Sequence, residues 1–551
     1  MFIDRFLRQV QKTPDNPACL FLKGPRSVAT ANTYRELHEY ASNLARQLHS
    51  RNLAQRPVGL MFGNDLHFVA SLLACFYVNA AAVPIPNSIF GYAKQRAKSI
   101  LAHIELDALL VAAGNTPTLA DDCNTKNIIA VDPLNGSEKF GFIPIKRDPD
   151  DIALIQYTSG SVTAPKGVLI SHRNLWSNQQ MIQEAFHHQN GNCVTVNWLP
   201  FYHDMGLVGG LLQALFVGGY CVQIRPIDFL KNPLIWLQAI SDYRANSSGA
   251  PSFGFSLCVD SMTRRQVKAD FDFSAWKVAY CGAEPISEKV FLRFAERFAG
   301  HGFQSASFFP CYGMAEATLI ITAADYQSGY KVHHHKIPFT GKTETVVSCG
   351  KALGDQSIKI RSDSGADLVD GEVGEIYLSG SNLFRGYLSA DEVLRNFQMI
   401  DGRRYFATGD LGFLHERELY ITGRKKDLII LNGVNFYPHD IAWFVGTLDT
   451  ALDPLSGSAF EFEDPNQPQS KSVVHLHELK RGIVLSQTDT AQIRKRIGIR
   501  LTQEYGFQVK EVILLKSGGL PRTASGKIQH RKCRDLYSAG PSAPIADLQK
   551  A

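Results

Sequence analysis

The sequence predicts an α/β fold divided into more than one domain, and three observations carry that expectation. Short apolar runs alternate with stretches of helical periodicity from residue 33 to residue 112. The length of 551 residues exceeds one ordinary domain and allows a large core. The composition, 45% hydrophobic and 20% charged, is that of a globular chain and excludes a disordered one.

The elements follow in order. Thr33 and Glu36 have the spacing of a capping box, and Leu37, Tyr40, Ala41, Leu44, Ala45 and Leu48 continue as one apolar helical stripe. Pro57 to Phe62 reads as a strand, Asp65 to Tyr77 as a helix and Ala80 to Pro84 as a strand. Tyr92 to Ile104 is a helix and Ala108 to Ala112 a strand. This alternation predicts a parallel sheet covered on both faces. Residues 113–150 read as one long irregular connection.

Ten cysteines are scattered without a C-x-x-C pair, which argues against zinc and a redox motif and for free thiols in a reducing compartment. The N-terminus lacks the basic-then-apolar order of a signal peptide. The longest apolar stretch, Phe68 to Pro84, is broken by Asn79 and reads as core, not as a membrane span. The expected location is the cytoplasm. The formal net charge of +5 says little about nucleic acid.

The stretch around which the rest is arranged is Gln156 to Gly167, a hydroxyl- and glycine-rich loop between two apolar runs. Thr158, Ser159, Gly160, Ser161, Thr163 and Lys166 have the chemistry of a phosphate cradle: amides that approach closely, hydroxyl donors and a cation. Taken alone, such a loop is more often a solvated turn. Five further segments accompany it. Trp198 to Gly206 places His203 and Asp204 in an aromatic loop, where a satisfied His–Asp pair in the core is the competing reading. The next is in two pieces, Tyr280 to Pro285 with Gly282, Ala283 and Glu284, and Tyr312 to Glu316 with Gly313, Met314 and Ala315 between a flat ring and a carboxylate. Asp410 follows Thr408-Gly409 in a turn, and Arg424 opens the charged run Arg424-Lys425-Lys426-Asp427. Lys527 lies in the basic segment Pro521 to Gln529.

Together, in this order and across residues 157 to 527, the six segments resemble the signature motifs of the adenylate-forming superfamily, whose members join a carboxylic acid to AMP. The loop departs from that superfamily's pattern at Val162 and Thr163. The resemblance implies a large N-terminal adenylation domain of mixed and parallel sheets over residues 1–423, and a small mobile α+β C-terminal domain over 424–551. It implies ATP and Mg²⁺ as cofactors, the loop Thr158–Lys166 and residues 282–284 and 312–315 around the nucleotide, and adenine stacking on Tyr312. Glu316 is implied as the metal contact, Asp410 as the ribose acceptor, Arg424 as a ribose or phosphate contact and Lys426 as the hinge. Lys527 is implied at the reacting carboxylate and α-phosphate, and His203 at the acyl pocket.

The wording of the His203 segment looks like that of fatty acyl-AMP ligases, which activate a medium- or long-chain fatty acid and load an acyl carrier protein through its phosphopantetheine thiol. Two alternatives stay open: a fatty acyl-CoA ligase, and a catalytically idle acyl- or nucleotide-binding protein. The segment Ala323 to Ser348 looks like the insertion that marks the acyl-AMP ligases, and its three adjacent histidines, His333 to His335, read as a solvated loop. Residues 480–535 hold 13 basic and 4 acidic side chains, a local excess of +9 that suits either an acidic carrier protein or a solvated helix face. No carrier domain is visible, so the carrier is expected from another polypeptide. The protein is expected to be a monomer with no nucleic-acid partner.

Overall fold

The computed structural model of the protein describes residues 1–87, 91–113, 125, 127–132, 142–158, 165–189, 191–265, 270–336, 343–389, 397–431, 434–464, 467–523 and 526–538. The alternating first segment folds as read. Thr33 and Glu36 form both halves of a capping box on the helix Tyr34–His49, and Asp65 caps Leu66–Tyr77. The strands Pro57–Phe62, Ala81–Pro86, Ala108–Ala112 and Ile152–Tyr157 lie parallel in a seven-stranded sheet, with every residue of Ala81–Pro86 buried. That burial is why these strands, Gln156 apart, carry no charged or amide side chain and do not alternate.

Two expectations are corrected. The connection 113–150 is not irregular throughout, because Ile128–Val131 adds a parallel strand beside Ala108–Ala112. It is an edge strand of four residues with only alternate positions buried, too short for a periodic signal. The three histidines are not a solvated loop either. They lie on the strand Val332–Lys336, paired antiparallel with Thr343–Ala352. Alternation turns His333 and His335 onto Phe413, at ring separations of 5.2 and 5.1 Å, and leaves His334 exposed.

A second, larger sheet changes character along its width. Its strands are parallel from Pro17–Gly24 through Val278–Cys281 to Phe308–Gly313. From Ile320–Ala323 onward they are antiparallel, ending at Ser357–Arg361. The change falls at the turn 314–319, which carries Glu316. A small three-stranded sheet, Leu452–Asp464, Gln467–Leu479 and Val509–Leu515, packs with the helices Pro438–Gly446 and Gln487–Tyr505 around a separate core of Ile441, Val445, Val473, Ile497 and Leu501. The architecture is a large N-terminal α/β part and a small C-terminal α+β part.

Candidate active site

A cavity of about 870 Å³ lies between the two parts and takes side chains from both. That volume is within the range of small-molecule sites. Of the expected nucleotide residues, Thr158, Lys166, Gly282, Ala283, Glu284, Tyr312, Gly313, Met314, Ala315, Glu316, Asp410, Arg424 and Lys527 all border it. His203 and Lys426 border it too. Ser159, Gly160, Ser161 and Thr163 lie outside the described residues.

The loop that carries them leaves the strand Ile152–Tyr157 and returns antiparallel in Gly167–Ser171, closed by the Thr158 N–H donating to the Lys166 carbonyl at 3.2 Å. The Lys166 ammonium lies 4.7 Å from the centre of the Tyr387 ring. Tyr387 in turn donates its hydroxyl to Glu316 Oε1 at 2.8 Å. Burial raises the pKa of Glu316, and the Tyr387 hydrogen bond opposes that rise.

A second buried group centres on Asp410. Its Oδ2 accepts from the Tyr312 hydroxyl at 2.7 Å, its Oδ1 accepts from Arg424 Nε at 2.6 Å, and its N–H donates to Thr408 Oγ1 at 3.0 Å. Asp410 raises the pKa of Arg424, which therefore stays charged. Two charge-assisted bonds fix the carboxylate while each oxygen keeps a second lone pair for a ligand. Elsewhere on the cavity wall Ala283 adopts a positive φ of 68°, a conformation a non-glycine residue holds only when its surroundings impose it.

His203 and Asp204 form the expected pair, Nδ1 to Oδ1 at 2.7 Å, and both border the cavity. Burial opposes the charge of Asp204, yet His203 and the Met205 N–H hold its carboxyl below the ordinary range. Their loop is clamped from three sides. Asn64 donates to the Leu199 carbonyl at 2.8 Å and accepts from the Phe201 N–H at 3.1 Å. Asn197 donates to the Gly206 carbonyl, and Gln156 Nε2 to the Tyr202 carbonyl. Beyond the loop the residues Met205–Leu212 wind as a π-helix, a form often found at functional sites.

From the small part, Lys527 enters the cavity on a braced loop. Thr523 N–H donates to the Lys527 carbonyl at 2.7 Å, Lys527 N–H donates to Thr523 Oγ1 at 3.0 Å, and Arg522 binds Glu478 and Ser456. Burial, then the charge of Arg424, lowers the pKa of Lys527, while Asp410, Asp427 and Glu284 oppose that shift. Lys426 is exposed in the turn Lys425–Asp427 that joins the parts. Its neighbour Lys425 binds Glu375 at 2.9 Å and Asp363 at 2.7 Å.

The site therefore offers separated cations (Lys166, Arg424, Lys527), one buried carboxylate held by a phenol, and a second held by an arginine. Cations at these places neutralise a polyphosphate. Among the described residues no group of three or more His, Cys, Asp or Glu could hold a metal ion. A single carboxylate such as that of Glu316 fits Mg²⁺, which keeps waters and phosphate oxygens and needs only one or two protein carboxylates. Tyr387, Asn64 and Gln156 were not legible as site residues. Tyr387 stands 71 positions from Glu316 and in no recognisable motif.

Medium-chain-fatty-acid–[acyl-carrier-protein] ligase TtuA from Teredinibacter turnerae is 31% identical over 98% of this chain and 94% of its own. A putative fatty-acid–CoA ligase, fadD21 of Mycobacterium bovis, is 30% identical over 86% of each. A structure from studies of fatty acyl-adenylate ligases of E. coli and L. pneumophila superposes with a TM-score of 0.83 at 29% identity, covering 98% of both chains. The family model described as AMP-binding enzyme matches residues 6–388, which hold Thr158, Lys166, His203, Tyr312 and Glu316, and the chain thus belongs to the AMP-binding enzyme family.

Proposed function

We propose that the protein uses ATP to convert a medium- or long-chain fatty acid to acyl-AMP, releasing pyrophosphate, and then passes the acyl group to the phosphopantetheine thiol of an acyl carrier protein. The observation that carries this reading is the meeting, in one cavity, of Lys527 from the small part with Glu316 and Asp410 from the large one, and with Arg424 at the boundary between them. The likeness to the Teredinibacter ligase along nearly its whole length supports the acyl and carrier assignments.

The chemistry suits these residues. A fatty carboxylate titrates near ~4 and is already ionised at neutral pH, so no general base is needed. One carboxylate oxygen attacks the α-phosphorus and the bond to pyrophosphate breaks. The barrier lies in bringing an anion to a polyanion, so positioning and charge neutralisation dominate. Lys527 steadies the charge around the attacking oxygen and α-phosphate. Lys166 and the loop 158–167 hold the departing phosphates, Tyr312 faces the adenine, and Asp410 with Arg424 takes the ribose. Glu316 is the residue to hold Mg²⁺, which screens phosphate charge when bound. His203 borders the acyl carboxylate. Residues 1–423 and 424–551 act as the two domains, with Lys426 as the hinge about which the small one turns before thiol attack. The protein works as a cytoplasmic monomer.

A second reading, coenzyme A as the acceptor, is supported by the mycobacterial relative's name. Incubation with ATP, Mg²⁺ and acids of graded length, with coenzyme A or a pantetheinylated carrier protein, separates the two. Acyl-carrier formed in preference to acyl-CoA supports the proposal, and the reverse refutes its second half.

A further inference from the structure

The lysine loop has a specific seat on the large part. Gly526, next to Lys527, has φ +86°, and a Cβ built on it would lie 2.5 Å from the ring of Phe253. Its backbone thus rests on that ring, and no larger residue fits there without displacement. Phe253 is half-buried and itself held. Its N–H, in the first turn of the helix Ser252–Arg265, donates to Glu284 Oε1 at 2.8 Å. Its ring meets Trp198 edge-on at 5.9 Å, and Trp198 is stacked on Phe229 at 3.7 Å. On the other side the loop is braced within the small part: Arg522 Nη1 donates to the Gly526 carbonyl at 3.1 Å, and its Nη2 binds Glu478.

A braced loop meeting a braced ring transmits position without adjustment. We propose that Phe253 is the docking seat of the lysine loop, a positioning residue that places the Lys527 ammonium for the adenylate-forming step and has no part in thiol transfer. This rests on the two-step reading above. The seat acts only while the loop is docked, so its loss separates the two half-reactions.

The test measures three things in the purified full-length protein. Phe253→Ala is expected to slow ATP- and acid-dependent pyrophosphate release about 10²-fold, the usual cost of a ~1 Å misplacement of a reacting group. Transfer from presynthesised acyl-AMP to a pantetheine thiol should run at the wild-type rate, and Phe253→Tyr should restore the first step. Trypsin should cut faster after Arg522 and Lys527 in Phe253→Ala, a readout that needs no turnover. Gly526→Ala supplies the second variant. Its loss should be smaller in the Phe253→Ala background than in the wild type, because the ring it strikes has gone. Equal slowing of both half-reactions, or unchanged trypsin cleavage, overturns the seat. Wild-type protein that forms no acyl-AMP overturns instead the reading on which it rests.

Discussion

Replacing Tyr387 with phenylalanine removes one oxygen and keeps the ring beneath Lys166. The lost contact is the 2.8 Å bond from the hydroxyl to Glu316 Oε1, a buried bond to a carboxylate. Bonds to charged groups contribute about 1.5–3 kcal/mol, so a central figure of about 2 kcal/mol corresponds to roughly a 30-fold change in an equilibrium constant. Burial already raises the pKa of Glu316, and the Tyr387 bond is the first influence opposing that rise. Without it the carboxylate ionises less readily and its orientation loosens. Titration of Mg²⁺ at fixed ATP should show half-saturation for pyrophosphate release rising ~10- to 100-fold. The acid limb of the rate profile should move to higher pH, since more alkaline solution is then needed to ionise Glu316. The Lys166 contact at 4.7 Å is unaffected, so binding of ATP without metal should not change. A variant with wild-type Mg²⁺ dependence and an unmoved acid limb refutes the assignment of Tyr387 to Glu316 and weakens that of Glu316 to the metal.

Other expectations are briefer. The lowered pKa of Lys527 means that its charge, and with it adenylate formation, is lost as pH rises through a value below the ordinary 10.5; Lys527→Arg should retain residual activity without that alkaline limb, because guanidinium stays charged. Lys426→Pro should spare pyrophosphate release and damage thiol transfer, and equal loss of both steps contradicts the hinge assignment. Burial holds His172, His188 and His477 neutral, with pKa values lowered from 6.5 to about 4. The unfolded chain then binds more protons than the native one, so their stabilising contribution is complete above pH 6.5 and is lost as pH falls towards 4. Melting temperatures should drop between pH 7 and pH 5, and a flat profile contradicts buried neutral imidazoles.

How much of this was legible follows from which interactions are local. The capping box at Thr33, the apolar parallel strands and the hydroxyl-rich loop are written within a few consecutive residues, and the sequence displays them directly. The residues bordering the cavity were legible as motifs, but their pairing was not. Asp410 looked like a free carboxylate in a turn, whereas it lies between Tyr312 and Arg424, 98 positions and 14 positions away. Tyr387 carries no local pattern, since nothing in Arg385-Gly386-Tyr387-Leu388 marks its ring as a site residue until the fold shows what it faces. The histidines of Val332–Lys336 misled for a related reason. Adjacent polar residues look solvated, and only strand pairing turns alternate ones onto Phe413.

In the proposed function one cavity first joins a fatty acid to AMP and then yields the acyl group to a carrier-bound thiol. The most direct test is mass spectrometry of a single incubation of the protein with ATP, Mg²⁺, decanoic acid, coenzyme A and a pantetheinylated carrier protein. Acyl-AMP appearing first and decanoyl-carrier accumulating after it, with little decanoyl-CoA, is the predicted result. Decanoyl-CoA as the main product contradicts the carrier assignment, and the absence of acyl-AMP, acyl-CoA and acyl-carrier with acids of every length contradicts the whole account.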